Sequence, residues 1–189
     1  MSIEADIRKM RIQSSASIAS AALEYLYTFS MKRGMGKPFA VECKKLVATR
    51  PTAVALSNAI GKAMYAGSPQ GIRRIIEEIN LSHEKVSENS RRIFKKKTSI
   101  MTHCHSTFTV GALIANKSRI RNVIVTETRP KDQGVTTAGE LARNGIKTSF
   151  IIDSAVGNFI NDVDIVLVGA DALRKEGLVN KIEIGRAHV

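Results

Sequence analysis

The sequence contains few aromatic residues, few cysteines and a deficit of acidic side chains. Aromatic residues make up 5% of the 189 residues and tryptophan is absent, so the chain offers few rings on which single-stranded nucleic acid could stack. Two cysteines, Cys43 and Cys104, are too few for a disulfide-stabilised scaffold and fit a reducing compartment. No apolar run reaches the roughly 18 residues of a transmembrane helix, and the first residues lack the pattern of a signal peptide. We therefore predict a cytoplasmic protein with no membrane partner.

The deficit of acidic residues leaves a strongly basic chain. Lys and Arg number 29 against 17 Asp and Glu, which gives a formal net charge of +12. The excess lies mainly in the first 97 residues, which hold 18 of the cations and 8 of the acids. A basic half of this kind attracts phosphate esters, nucleic acid or an acidic protein, but a solvated surface accounts for it equally well.

Hydrophobic periodicity changes near residue 98 and predicts two domains, 1–97 and 98–182. Helical spacing dominates the first, with breaks at glycine and proline. The helices predicted there cover residues 3–29, 38–48, 51–66 and 71–95. The second part alternates short apolar, β-branched runs with helical stretches, a pattern typical of a parallel sheet covered on both faces. Its predicted strands cover residues 98–102, 122–126, 148–152 and 163–168.

Polar side chains follow each of the four predicted strands. They are His103 and Cys104, Glu127, Asp153 and Asp171. Ligands of open parallel sheets bind beyond the carboxyl ends of the strands, so these groups predict a site for proton transfer. The start of a helix and two flanking histidines would favour the Cys104 thiolate, although a small apolar residue in a buried turn is an equally ordinary interpretation.

The stretch from His103 to His105 also raises the possibility of a metal site. Two histidines and a cysteine could supply three ligands, but no second cluster follows at zinc-site spacing. We therefore predict that the protein holds no metal.

The last seven residues, 183–189, match the translation of a common sequencing adapter. We expect this tail to be foreign to the natural protein and exclude it from the fold. The α/β domain is accordingly expected to be incomplete after residue 182.

Several segments, taken together and in order, resemble one protein family. They are Arg50-Pro-Thr-Ala-Val54, Thr102-His-Cys-His-Ser106, Val125-Thr-Glu-Thr-Arg-Pro130 with Gln133-Gly134, Asp153-Ser-Ala155, Val168-Gly-Ala-Asp171 and Asn180-Lys-Ile182. This series resembles the family that contains initiation factor 2B alpha/beta/delta-like subunits, methylthioribose-1-phosphate isomerase and archaeal-type ribose-1,5-bisphosphate isomerase. The resemblance covers essentially all of residues 1–182.

The resemblance implies a helical amino-terminal domain followed by a Rossmann-like α/β domain, truncated here. It implies a sugar-phosphate isomerase of nucleotide (AMP) metabolism that converts ribose 1,5-bisphosphate to ribulose 1,5-bisphosphate, with Cys104 and Asp171 as the proton-transfer pair. Arg50, Asn180 and Lys181 correspond to substrate-binding residues. The implied chemistry needs no cofactor, and the full-length protein is expected to be a homo-oligomer.

One segment departs from the isomerase pattern. Where the isomerases carry an Arg-Gly-Ala-Gly-like stretch, this chain has Gln13-Ser14-Ser15-Ala16, which removes a cation and two glycines from the phosphate cradle. The alternative is therefore a non-catalytic initiation factor 2B-like regulatory subunit that binds RNA or a protein partner. A third possibility is a sugar-phosphate or nucleotide sensor without turnover.

Overall fold

A computed structural model describes residues 2–9, 11–12, 14–175 and 177–179. By its internal contacts the chain forms two compact units, Met1–Ser82 and His83–Val189. The division falls inside the helix Pro69–Ser90, before the change of periodicity at residue 98, because the last eight residues of that helix pack with the sheet unit. The His83 ring stacks on Phe108 with centroids 3.7 Å apart, and the Asn116 side chain donates to the Ser87 carbonyl at 3.2 Å.

The first unit is helical, as predicted. Its helices are α1 (Ile3–Arg8), α2 (Ser15–Arg33), α3 (Lys37–Thr49), α4 (Val54–Tyr65) and α5 (Pro69–Ser90), the last of which continues into the second unit. The prediction of one helix over residues 3–29 was wrong, because Ser14 begins a new helix: its hydroxyl accepts a hydrogen bond from the Ser17 N–H at 3.0 Å and so satisfies a donor of the first turn.

A continuous apolar core holds the first unit together. Leu23 and Leu26 of α2, Leu46 of α3, Leu56 of α4 and Ile72 of α5 are all fully buried in it. Each of these four helices therefore turns one apolar face inwards, as the helical spacing of the sequence predicts.

The second unit is built on a parallel four-stranded sheet, which confirms the α/β class. Its strands are β1 (Thr98–Thr102), β2 (Ile120–Thr126), β3 (Thr148–Ile151) and β4 (Ile165–Leu167), in the spatial order β3-β2-β1-β4. The helices between them are α6 (Thr107–Ala115), α7 (Gln133–Arg143) and α8 (Val156–Phe159). β1 is buried along its whole length, as an internal strand covered on both faces should be.

After β4 the described chain forms an antiparallel pair that the sequence did not predict. It consists of β5 (Ala172–Arg174) and β6 (Gly177–Val179). Gly177 has φ 137°, a conformation that other residues rarely adopt. Among the described residues, no helix combines the length and apolarity that crossing a membrane requires.

Candidate active site

The loops that carry Cys104 and Asp171 touch at the carboxyl ends of two neighbouring strands. β1 and β4 pair in parallel, with Thr102 opposite Leu167, so the chain leaves both strands at the same edge of the sheet. A side chain on Gly169 would place its Cβ 2.6 Å from the Cβ and Oγ of Ser106. Only glycine lets the loop after β4 approach the loop after β1 this closely.

Cys104 is held by hydrogen bonds from the neighbouring loop and helix. Its N–H donates to Thr128 Oγ1 at 2.8 Å, and its carbonyl accepts from Thr137 Oγ1 at 2.9 Å. Its thiol donates to Gln133 Oε1 across 3.0 Å. The residue has a left-handed φ of 70°, an unfavourable conformation for a side chain other than glycine that persists only where the surroundings fix it.

The flanking histidines bind threonine hydroxyls through Nδ1. His105 Nδ1 lies 2.9 Å from Thr137 Oγ1. Because that hydroxyl gives its proton to the Cys104 carbonyl, His105 Nδ1 must be the donor. Burial lowers the pKa of His105 against a smaller opposing effect of Glu140, so the ring is neutral at pH 7 and carries its lone pair on Nε2. The sequence-based expectation that both histidines favour the Cys104 thiolate stays a prediction.

His103 takes part in a second polar cluster. Its Nδ1 lies 2.6 Å from Thr126 Oγ1 and 3.9 Å from Asp153 Oδ1. In the part of the chain that the structure describes, no group of three His, Cys, Asp or Glu side chains has the arrangement of a metal site.

Asp153 serves to shape the loop after β2. Its two carboxylate oxygens accept the N–H groups of Thr128 at 2.9 Å and Arg129 at 2.8 Å. Burial alone would raise the pKa of Asp153, but the N–H groups of Arg129 and Thr128, the Thr126 hydroxyl and His103 outweigh it and leave the pKa below its ordinary value. This carboxylate supports the loop that holds the Cys104 backbone.

Gly134 allows helix α7 to reach the end of β2. An added Cβ there would lie 1.7 Å from the Thr126 carbonyl oxygen, and the Gly134 N–H donates to the Glu127 carbonyl at 3.1 Å. This close approach brings Gln133, which is 1% exposed, to the thiol of Cys104. Sequence reasoning missed Gln133, Thr128 and Thr137 as neighbours of the cysteine, although Gln133-Gly134 already stood out as part of a motif.

The other predicted site residues are spread over both units and the chain's end. Arg50 follows α3 in the first unit, and its Nη1 atom is buried with no hydrogen-bond partner among the described residues. Asn180 and Lys181 lie outside the described residues. Ser14, in the segment that departs from the isomerase pattern, uses its hydroxyl to cap α2.

Comparison with known proteins assigns the family. A model of the initiation factor 2 subunit family matches residues 11–186. The chain belongs to this family. It is 40% identical to a ribose 1,5-bisphosphate isomerase of Archaeoglobus fulgidus over 93% of its own length and 61% of the relative's. It is 34% identical to a ribose 1,5-bisphosphate isomerase of Haloferax volcanii over 94% of its own length and 61% of the relative's.

This chain spans about three fifths of the length of the curated relatives that it matches. Among solved structures, the Pyrococcus horikoshii OT3 translation initiation factor eIF-2B superposes with a TM-score of 0.80 at 21% identity. It covers 93% of this chain and 67% of that chain. The superposition establishes that this family member has the same fold.

Proposed function

We propose that the protein is an isomerase that converts ribose 1,5-bisphosphate to ribulose 1,5-bisphosphate. The observation that carries the proposal is the contact between Gly169 and Ser106, because it joins the loops of a thiol, Cys104, and a carboxyl group, Asp171. The isomerases of A. fulgidus and H. volcanii, which share 40% and 34% of the aligned residues, support the choice of substrate.

The proposed reaction needs an acid and a base that act on one sugar. Asp171 gives a proton to the ring oxygen while the bond from C1 to that oxygen breaks. The Cys104 thiolate takes the proton from C2 and returns it to C1, while the Asp171 carboxylate takes the proton of the C2 hydroxyl as C2 becomes a carbonyl. The sequence of steps moves protons only and leaves the overall oxidation state unchanged, so these two residues suffice for it.

Gln133 can form a hydrogen bond with Cys104 both when its side chain is a thiol and when it is a thiolate. In the resting geometry its Oε1 accepts the S–H proton. When Cys104 is a thiolate, rotation of the amide would present its N–H₂ group to the sulfur instead, since the amide has both donors and an acceptor. The neutral His105 ring, whose pKa is lowered by burial, is available as a hydrogen-bond acceptor at Nε2.

Arg50 is the residue that we propose for substrate phosphate. Its buried Nη1 has no partner among the described residues, and a buried guanidinium N–H without an acceptor is costly unless a ligand supplies one. A phosphate oxygen would satisfy it with a charge-assisted hydrogen bond. Asn180 and Lys181 are proposed as further substrate contacts, on the family resemblance alone. We further propose a cytoplasmic homo-oligomer.

A regulatory subunit without catalysis is the second candidate function. The feature that favours it is Ser14, which lies in the segment where the isomerases carry an arginine and glycines and whose hydroxyl is already used by the N-cap of α2. Such a protein would bind an RNA or protein partner and would not turn over a sugar phosphate. The fold, shared with an initiation factor at TM-score 0.80, is compatible with this function as well.

The test is an isomerase assay on the protein made from the complete coding sequence. It is incubated with ribose 1,5-bisphosphate under reducing conditions and ribulose 1,5-bisphosphate is measured, with methylthioribose 1-phosphate as the competing substrate. We expect Cys104→Ser and Asp171→Asn each to lower turnover by about 10²–10⁴-fold, the usual effect of losing a general acid or base. Arg50→Ala should mainly raise KM.

Matched controls are Cys43→Ser and Asp162→Asn, which make the same chemical changes away from the proposed site. Both should retain turnover. Absence of product from either substrate with the unaltered protein would reject the isomerase and leave the regulatory subunit. Equal losses in the control variants would reject the assignment of Cys104 and Asp171.

A further inference from the structure

The amino-terminal edge of the parallel sheet, opposite the edge with Cys104, is strongly basic. The sequence between Glu88 and Glu127 contains eight Lys and Arg residues and no Asp or Glu. Because parallel strands all begin at one edge, the loops before β1, β2 and β3 lie side by side there. We call the six exposed cations at these strand starts the basic edge: Lys95, Lys96, Lys97, Lys117, Arg121 and Lys147.

Hydrogen bonds between the loops give the basic edge a fixed frame. Arg119 Nη1 donates to the Phe94 carbonyl at 3.1 Å, which ties the loop before β2 to the loop before β1. Lys117 Nζ donates to the Asn144 carbonyl at 3.5 Å, and this contact joins the loop before β2 to the loop before β3. Phe94 itself is 1% exposed and anchors the first loop in the core. The cations therefore project from ordered backbone.

A cavity of about 340 Å³ opens within this edge. Its lining includes Lys95, Lys96, Lys97 and Arg121, together with Asp164, which precedes β4. The Asp164 carboxylate accepts the Ser99 N–H at 2.7 Å and so is held against the β1 backbone. The positive potential is thus concentrated over β1, β2 and β3, while the β4 side is acidic.

We propose that the basic edge binds the phosphate backbone of a nucleic acid without reading its base sequence. Adjacent strands lie about 4.8 Å apart, so three strand starts present a row of cations roughly 10 Å wide that matches the repeating charge of a phosphodiester chain. Four of the six cations line the cavity, and Lys117 and Lys147 extend the positive charge beyond it along the edge. All six are exposed, whereas a site for a compact phosphorylated ligand buries most of that ligand among its partners. With Phe94 buried, contacts to phosphate dominate over stacking on bases.

Salt dependence is the measurement that tests this surface. The full chain is titrated into a fluorescently labelled, short RNA duplex of random sequence, and anisotropy is followed at several salt concentrations. The logarithm of the association constant should fall linearly with the logarithm of salt, by about 0.7–0.9 for each phosphate contact. A Lys95→Gln/Lys96→Gln/Arg121→Gln variant should lower that slope by about two to three and weaken binding at low salt by at least about tenfold.

The matched control removes the same net charge from exposed positions of the helical unit. It is Lys32→Gln/Lys37→Gln/Lys44→Gln, and it should change the affinity by no more than about twofold, because its lysines lie outside the basic edge. Circular dichroism of both variants checks that each retains its helix and strand content.

Four outcomes would overturn the proposal. The first is a control variant that weakens binding as much as the test variant, which would show an effect of net charge alone. The second is binding that does not depend on salt. The third is displacement of the RNA by inorganic phosphate or ribose 5-phosphate at concentrations near that of the protein, which would indicate a compact anion site. The fourth is binding to anionic phospholipid vesicles but not to the duplex.

Discussion

Cys104 and Cys43 are both buried, but their surroundings differ in ways that matter for reactivity. Cys43 lies inside α3 and is fully buried, and burial, aided by the charge of Glu42, raises the pKa of its thiol to about 11. Cys104 is 8% exposed and lies three residues before α6, where the positive end of the helix dipole favours a thiolate. The thiolate is the nucleophilic form, so Cys43 is the less reactive of the two.

We expect iodoacetamide to modify Cys104 before Cys43 at neutral pH. Timed alkylation of the folded protein, read by peptide mass spectrometry, measures both rates in one sample. In denaturant the two rates should converge, since unfolding removes the burial that raises the pKa of Cys43. Faster labelling of Cys43 in the folded protein would contradict the prediction.

At the scale of elements, the loop between β2 and α7 is the part that shapes the candidate site. Thr128 and Asp132 both have left-handed φ angles, 62° and 49°, which side chains other than glycine adopt only when held in place. Asp153 supplies two of the hydrogen bonds that hold Thr128 and Arg129. Asp153 therefore fixes the position of Thr128, and the Thr128 hydroxyl oxygen in turn accepts the hydrogen bond from the Cys104 N–H.

Asp153 gives the folded state a stability that depends on pH. Its folded pKa is lowered from the ordinary value of 3.8, so the carboxylate stabilises the fold fully above that value, and the contribution is lost as pH falls through the folded pKa. The stability gap between the unaltered protein and Asp153→Asn should be constant above about pH 5 and shrink below about pH 4.

Chemical unfolding of both proteins between about pH 3 and pH 7 measures this gap. Asp162→Asn, at an exposed position, is the matched control for removal of one negative charge. A gap that does not change over the acidic range, or one that changes equally for both variants, would refute the role of Asp153.

At the scale of the whole molecule, the outer strands of the sheet expose apolar side chains in the part of the chain that the structure describes. β4 and β3 are the outer strands of the four. β4 has the sequence Ile-Val-Leu without a charge, and Val166 is 53% exposed, while Phe150 of β3 is 48% exposed. Edge strands with apolar exposed side chains tend to pair with other chains unless a charge interrupts them.

We therefore expect the 189-residue chain to associate as its concentration rises and to unfold with low cooperativity. A Val166→Lys substitution should reduce the association, because a charged side chain on an edge strand opposes pairing. Val135→Lys is the matched control, since Val135 is 57% exposed on helix α7, away from the edge. Light scattering over a dilution series compares the three proteins, and a monomer with one sharp transition for the unaltered chain would contradict the prediction.

The sequence by itself determined the class of fold and the order of the helices and strands from α3 to β4, and it predicts the edge of the sheet where a site should lie. Periodicity carries this information, because an apolar stripe at helical spacing or a short β-branched run is a local property of the chain. The motif around Cys104 could likewise be found without a structure, since glycines, prolines and polar residues mark the ends of strands.

Tertiary structure decided the details that give the candidate site its chemistry. The structure begins α2 as a separate helix with the Ser14 hydroxyl as its N-cap, and it pairs β5 with β6 although the residues of these strands carry little periodicity of their own. Asp153 was expected to face a crevice, whereas its oxygens bind backbone N–H groups. That Gln133 meets the thiol of Cys104 depends on the close approach of Gly134 to Thr126, and distances between side chains far apart in sequence are set only when the chain packs.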